Sequence, residues 1–272
     1  MIVAATMPGP TGTLILDIET VPDPELYVAP EPAPNGERPF PPLYACKPVV
    51  VGVIWLDDDL GCKRIGIIGE DRTESDAMDD FADFMTRYRP LLVTWNGRGF
   101  DLPVLALRAL RHGVPSAWYY RGAGYRYRFS EDGHLDLADV ISDFGAARMT
   151  SLDGAARLIG LPGKVGVDGS QVEGLFRAGQ LEALRSYCLS DVAQTAFVFL
   201  RYRLVAGDID LVTYRKAAAG LLAALEADGR FGPVLAGTDR ERLLLAQRPT
   251  PPSPLTPPTP PVPPVPAPAE SV

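Results

Sequence analysis

Cysteine and histidine are scarce in this chain of 272 residues: Cys46, Cys62 and Cys188 are the only thiols, His112 and His134 the only imidazoles. Neither set has the close pairing of a thiolate or imidazole metal site, and three cysteines without framework spacing suit a reducing compartment rather than a disulfide scaffold. Long apolar runs are missing as well. None approaches the roughly 20 residues that cross a bilayer, and the N-terminus lacks the basic start and apolar stretch of a secretory signal. The expectation is a cytoplasmic protein with no membrane partner. Basic excess is also absent: Lys and Arg number 26 against 34 Asp and Glu, a formal net charge of −8. Coating nucleic acid by bulk electrostatics needs the opposite balance, so any contact with phosphates has to be local.

What is present is a set of carboxylates in informative places. In LILDIET, the apolar run Leu14-Ile15-Leu16 predicts a buried strand, and residues two apart on a strand share a face, so Asp17 and Glu19 point the same way. Two carboxylates side by side repel unless a cation lies between them, although solvated acids at a strand end would read the same. In LLVTWNGRGFDLPVLALRAL, a strand over 91–95 and a turn at Gly97 and Gly99 precede a helical pattern opened by Asp101, just ahead of Pro103. Asp101 fits both a helix cap and a metal ligand. In LEALRSYCLSDVAQTAF, Tyr187 and Asp191 stand four apart and share a helix face, where a phenol and a carboxylate can meet one site or simply sit half-buried.

Three independent segments thus each supply what metal-assisted phosphodiester hydrolysis requires. Mg²⁺ or Mn²⁺ takes oxygen ligands, and a site for two such ions, offset by four carboxylates, accepts a phosphate that the empty site would repel. The sequence DIE, then Asn96 to Asp101 as NxxxFD, then Tyr187 to Asp191 as YxxxD, resembles the three motifs of the DEDDy 3′–5′ exonucleases. It is most similar to the exonuclease domain of family B DNA polymerases, in the form of a stand-alone predicted exonuclease. The likeness runs on through HLDLADVISDF, SLDGAARLIGLPGK and GVDGSQV, and covers residues 11 to about 215.

That resemblance implies an α/β, ribonuclease H-like fold: a mixed five-stranded sheet flanked by helices in a domain over 11–235, followed by a disordered Pro-rich tail over 236–272. It implies a two-metal 3′–5′ exonuclease acting on the 3′ end of single-stranded nucleic acid, DNA first, with RNA 3′-end trimming or a non-catalytic binding module as alternatives. Asp17 would bridge both ions, Glu19 and Asp191 would complete the shell of one, and Asp101 would support the other. Tyr187 would orient the attacking water. Related enzymes carry a histidine five residues before the final Asp, where this chain has Ser186, so both histidines are assigned structural roles. An aspartyl-phosphate phosphatase would need Asp, not Glu19, two residues after its nucleophile.

Substrate contacts are expected at Asn96, Arg98 and Phe100 beside Asp101, at Lys164 after the LPG turn, and at Tyr125, Arg126 and Arg128 in WYYRGAGYRYRF. There arginines would meet phosphates while aromatic faces stack on bases, or the tyrosines merely pack along an edge hairpin. Strands are predicted over 12–18, 49–56, 62–68, 91–95 and 133–137, and helices near 74–88, 101–112, 137–146, 151–160, 180–204 and 207–226. The stretch 21–42, with eight prolines, is a long loop next to Glu19 that either gates the site or is a surface insertion. From Pro249 to Pro268 the chain, as PPSPLTPPTPPVPPVPAP over 251–268, is extended polyproline: a linker, a docking segment for a protein partner, or a disordered appendage without one.

Overall fold

The computed structural model describes residues 11–31, 39–122, 124–130, 132–166 and 169–248. Its centre is one mixed sheet of five strands, β1 (Thr13–Pro22), β2 (Cys46–Leu56), β3 (Cys62–Ile67), β4 (Leu91–Thr94) and β5 (His134–Asp136), in the order β3-β2-β1-β4-β5. The pairs β1–β2 and β2–β3 are antiparallel, β1–β4 and β4–β5 parallel. The parallel half is reached through helices α1 (Glu74–Tyr88) and α2 (Asp101–His112). This is the expected ribonuclease H-like α/β sheet.

Period-two alternation along β1 separates two cores. Leu14, Leu16 and Ile18 face α1 and α2, packing with Met78, Phe81, Met85, Leu102 and Leu105. Ile15 faces the other way, into a larger core with α7 (Leu181–Ala206) and α8 (Leu211–Asp228). Asp17 and Glu19 continue the Ile15 face, because side chains alternate across a strand. A helix sandwiched between a sheet and a second helix is apolar on nearly every side. The middle of α7 obeys this, being buried from Val192 to Leu200 without interruption.

The elements depart from the expected ones where local signals are short. The 137–146 helix ends at Ile141 as α4 (Leu137–Ile141), because Asp143, Phe144 and Gly145 all take left-handed backbone. The aromatic WYY run is a helical turn, α3 (Ala117–Tyr120), and not part of a hairpin. The SLDGAARL helix is α5 (Leu152–Leu158), and α6 (Val172–Arg177) had no periodic signal long enough to predict.

The packed fold also runs past residue 235, the expected domain boundary. Helices α9 (Gly232–Ala236) and α10 (Arg240–Leu243) lie on α7 and α8. Arg201 Nη2 donates to the Leu243 carbonyl at 2.8 Å, and Arg215 Nη2 reaches the Arg248 carbonyl at 2.6 Å. The proline run beyond residue 249 lies outside the described residues. Among those described, no helix is long and apolar enough to cross a membrane.

Candidate active site

Where β4 ends at Thr94, β1 continues beyond it, leaving backbone groups of β1 without a strand partner. Buried N–H groups need acceptors. The Ile18 N–H finds the Asp101 carboxylate at 3.2 Å. Asp101 is the first residue of α2 and not its N-cap, which is Phe100, and its carboxylate reaches across to β1 instead. It arrives at the carboxyl end of the parallel strands, where open α/β sheets place their ligand sites.

Helix α7 brings Tyr187, Cys188 and Asp191 onto the same strand from the opposite side. Cys188 approaches Asp17 closely, its Sγ lying 3.4 Å from the Asp17 carbonyl and 3.5 Å from Oδ2. One ligand atom each from Asp17, Glu19 and Cys188 falls within 4.8 Å of the other two. This approach depends on Gly52, the β2 residue paired with Asp17. A Cβ built there would stand 2.7 Å from Cys188 Sγ.

The four carboxylates feel one another. Burial, then the charges of Asp101, Glu19 and Asp191, push the Asp17 carboxyl well above the ordinary range. Burial, with Asp191 and Asp101 adding, raises Glu19 to about 8. Burial raises Asp101 to about 7, with Asp136 adding to it and the Ile18 N–H opposing it. Asp191 rises to about 6 through burial, held down by the Tyr187 hydroxyl and by the charge of Lys164. Among the described residues Asp17, Glu19 and Asp101 form no salt bridge, although buried carboxylates elsewhere in the chain are paired with arginine. Uncompensated buried carboxylates near enough to raise one another's pKa are what a hard divalent cation relieves. The donor set therefore fits Mg²⁺ or Mn²⁺. Burial and the charge of Asp17 raise the Cys188 thiol, and soft sulfur is a poor partner for so hard an ion.

The remaining expected residues divide. Asn96 is exposed in left-handed backbone at φ 62°, and Phe100 is half-buried with its ring 5.7 Å from that of Phe40. Beside them a cleft of about 560 Å³, lined by Thr20, Tyr27, Phe40 and Glu173, adjoins the Glu19 end of β1. Lys164 is close enough to act on Asp191. Arg98, however, is turned away from the carboxylates, donating to the carbonyl of Arg126 at 3.3 Å and to Nδ1 of His134 at 3.2 Å. Arg128 binds Asp139 at 2.8 and 2.5 Å, and Arg126 is exposed beside Tyr119 and Tyr120. Tyr125 is buried in the α1–α2 core with its hydroxyl on the Pro90 carbonyl at 2.7 Å, so no face of it is free for a base. His134 is buried and bonded to Thr94 at 2.8 Å; burial, reinforced by Arg98, lowers it to about 3 and keeps it neutral. Since a guanidinium only donates, His134 Nδ1 accepts and its Nε2 carries the proton. His112 closes α2 beside Glu74.

Two contributors were not anticipated. Asp136 accepts from the Asn96 and Arg98 N–H groups at 2.8 and 2.9 Å and so fixes the turn that carries Asp101. Cys188 is the other. Its only signal was Gly52, a lone glycine inside the apolar strand KPVVVGVIWL, which marks a close approach.

Sheet order, carboxylate placement and the helix bearing Tyr187 together define a ribonuclease H-like protein with an acidic site. Residues 38–233 match the family described as predicted 3′-5′ exonucleases related to the exonuclease domain of PolB, and the chain belongs to it. Among solved structures it is similar to the family B DNA polymerase of the hyperthermophilic archaeon Pyrobaculum calidifontis, at 20% identity and a TM-score of 0.51. That alignment covers 88% of this chain and 28% of the polymerase, and it speaks for the fold. No curated protein matches.

Proposed function

We propose that the chain is a metal-dependent 3′–5′ exonuclease of the tyrosine-bearing type, hydrolysing phosphodiester bonds at the 3′ end of single-stranded nucleic acid, DNA in the first instance. The observation that carries this reading is that Asp17, Glu19, Asp101 and Asp191, from a strand and two helices, lie close enough for the other three to raise the pKa of Asp17, while among the described residues no arginine forms a salt bridge with Asp17, Glu19 or Asp101. Asp17, Glu19 and Asp191 would hold one Mg²⁺ or Mn²⁺, and Asp17 with Asp101 a second. Two such ions supply stabilisation of the attacking and leaving oxygens of an in-line displacement.

The chain's own groups do the rest. Tyr187 is bonded to Asp191, so its phenol is fixed where it can orient a water for attack on phosphorus. As the oxygen of that water bonds to phosphorus, the P–O bond to the penultimate nucleotide breaks, and a terminal nucleotide leaves. Asn96 and Phe100 line the approach, and Lys164 contributes a positive charge on the Asp191 side. Three free thiols, Cys46, Cys62 and Cys188, suit a reducing cytoplasm.

The test is release of nucleotides from a 5′-labelled oligonucleotide, with DNA and RNA strands compared. Wild-type protein in Mg²⁺ or Mn²⁺ shortens the strand from its 3′ end, whereas EDTA, Asp17→Asn or Asp191→Asn lowers the rate by orders of magnitude with the circular dichroism spectrum unchanged. Undiminished activity in EDTA sinks the proposal.

A further inference from the structure

The sequence from Arg126 to Phe129 carries more exposed aromatic surface than a packing role explains. Tyr127 is 63% and Phe129 55% exposed. Their rings meet edge to face at 5.8 Å, and Phe129 meets Phe144 likewise at 4.6 Å, yet both residues stay more than half exposed. Nothing about the alternation of the segment forces this, since the one tyrosine needed for packing, Tyr125, is already buried.

The segment is nevertheless held rigidly. Arg128 is clamped to Asp139 and donates to the Phe144 carbonyl at 3.0 Å. Phe144 itself sits in left-handed backbone at φ 53°, after Asp143 at φ 50°, a conformation that non-glycine residues adopt at a cost and that gathers at functional sites. Arg126 adds charge. In this acidic chain most arginines are neutralised by carboxylates, but among the described residues Arg126 has none and lies instead over the rings of Tyr119 and Tyr120, at 5.8 and 5.4 Å. The strip is also tied to the turn that leads into Asp101. Arg98, three residues before Asp101, donates to the backbone carbonyls of Arg126 and Tyr127.

The geometry points to this strip, Tyr127 and Phe129 with Arg126, as the track for the upstream part of a single-stranded nucleic acid whose 3′ end enters the carboxylate site. Open ring faces accept unpaired bases without reading sequence, and a guanidinium lacking a carboxylate partner meets a phosphate. The inference rests on the exonuclease reading and assigns that reading a binding surface outside its catalytic residues.

The test uses full-length protein and the double variant Tyr127→Ala/Phe129→Ala, with Arg126→Ala alongside. Affinity for 5′-fluorescein-(dT)15 is measured by anisotropy in Ca²⁺, and hydrolysis of the dinucleotide pTpT in Mn²⁺. Loss of a stacked base weakens binding by roughly tenfold. The double variant is expected to lose at least that factor on (dT)15 and far less on the dinucleotide, while Arg126→Ala flattens the salt dependence of (dT)15 binding. Equal affinity of wild type and double variant for (dT)15 overturns the proposal, as does an equal loss on both substrates, or a change only in oligomeric state. If wild type binds (dT)15 through the strip but hydrolyses nothing, the track stands and the exonuclease reading falls. If it neither binds nor hydrolyses, both fall.

Discussion

At the scale of single residues, the contrast between paired and unpaired acids divides structure from chemistry. Arg108 is buried and clamps Asp23 at 2.8 Å and Glu74 at 2.8 Å, tying the exit of β1 to α1 and α2. Removing one partner of a buried pair strands the others without compensation, so Arg108→Met should destabilise the fold by about 3–5 kcal/mol, read as a fall in the urea midpoint. The carboxylates at the site behave oppositely, because Asp101, Glu19 and Asp191 raise Asp17, and Asp191 and Asp101 raise Glu19, so that removing one relieves repulsion. Tyr187 belongs with them through its bond to Asp191. Tyr187→Phe deletes only the hydroxyl and should slow hydrolysis by roughly 10- to 1000-fold with much smaller change in KM, the scale of one positioned catalytic group. Turnover at the wild-type rate across pH 6 to 9 would make the phenol a packing residue.

Among elements, the decisive fit is α7 against β1 and β2. Gly52 lets Cys188 and Val192 press against the strand opposite Asp17. Gly52→Ala should push α7 outward, lowering activity far more than it lowers melting temperature, because a misplacement of about 1 Å suffices to cost 100-fold in rate. A crystal structure or an activity near wild type would refute this. The same contact shows what could be read in advance. Alternation in LILDIET gave the shared face of Asp17 and Glu19, and spacing in α7 gave that of Tyr187 and Asp191, since both follow from backbone periodicity. Cys188 and Asp136 did not emerge, because their roles arise from contacts across 171 and 40 residues of sequence respectively. Tyr125 illustrates the converse. Aromatic and basic residues alternate around it in sequence, and only the tertiary fold decides that this ring turns inward while Tyr127 turns out. Short helices such as α6 and α10 escaped because fewer than two turns leave no period to detect.

For the whole molecule, the site makes stability depend on pH in a direction opposite to that of most proteins. Glu19, Asp101 and Asp191 have folded pKa values of about 8, 7 and 6, above the roughly 4 of unfolded carboxyls. Between those limits the folded chain binds more protons than the unfolded one, so unfolding free energy falls as pH rises. His134 works against this lower down. Its folded value of about 3 lies below the unfolded 6.5, so it adds stability as pH rises to about 6.5 and nothing beyond. Asp23 and Asp139, whose pKa values are lowered, act only below about 4. The window from pH 6.5 to 8 therefore isolates the acidic site. In EDTA the melting temperature should drop across it, and Mg²⁺ should raise it more at pH 8 than at pH 6.5, because a cation binds the deprotonated cluster. Asp17→Asn removes one titrating carboxyl from the cluster and should flatten the EDTA slope, which separates the site from general repulsion in a chain of net charge −8. An EDTA melting temperature that holds constant from pH 6.5 to 8, or an unchanged slope in Asp17→Asn, would show that the four carboxylates are not coupled as their burial and proximity require.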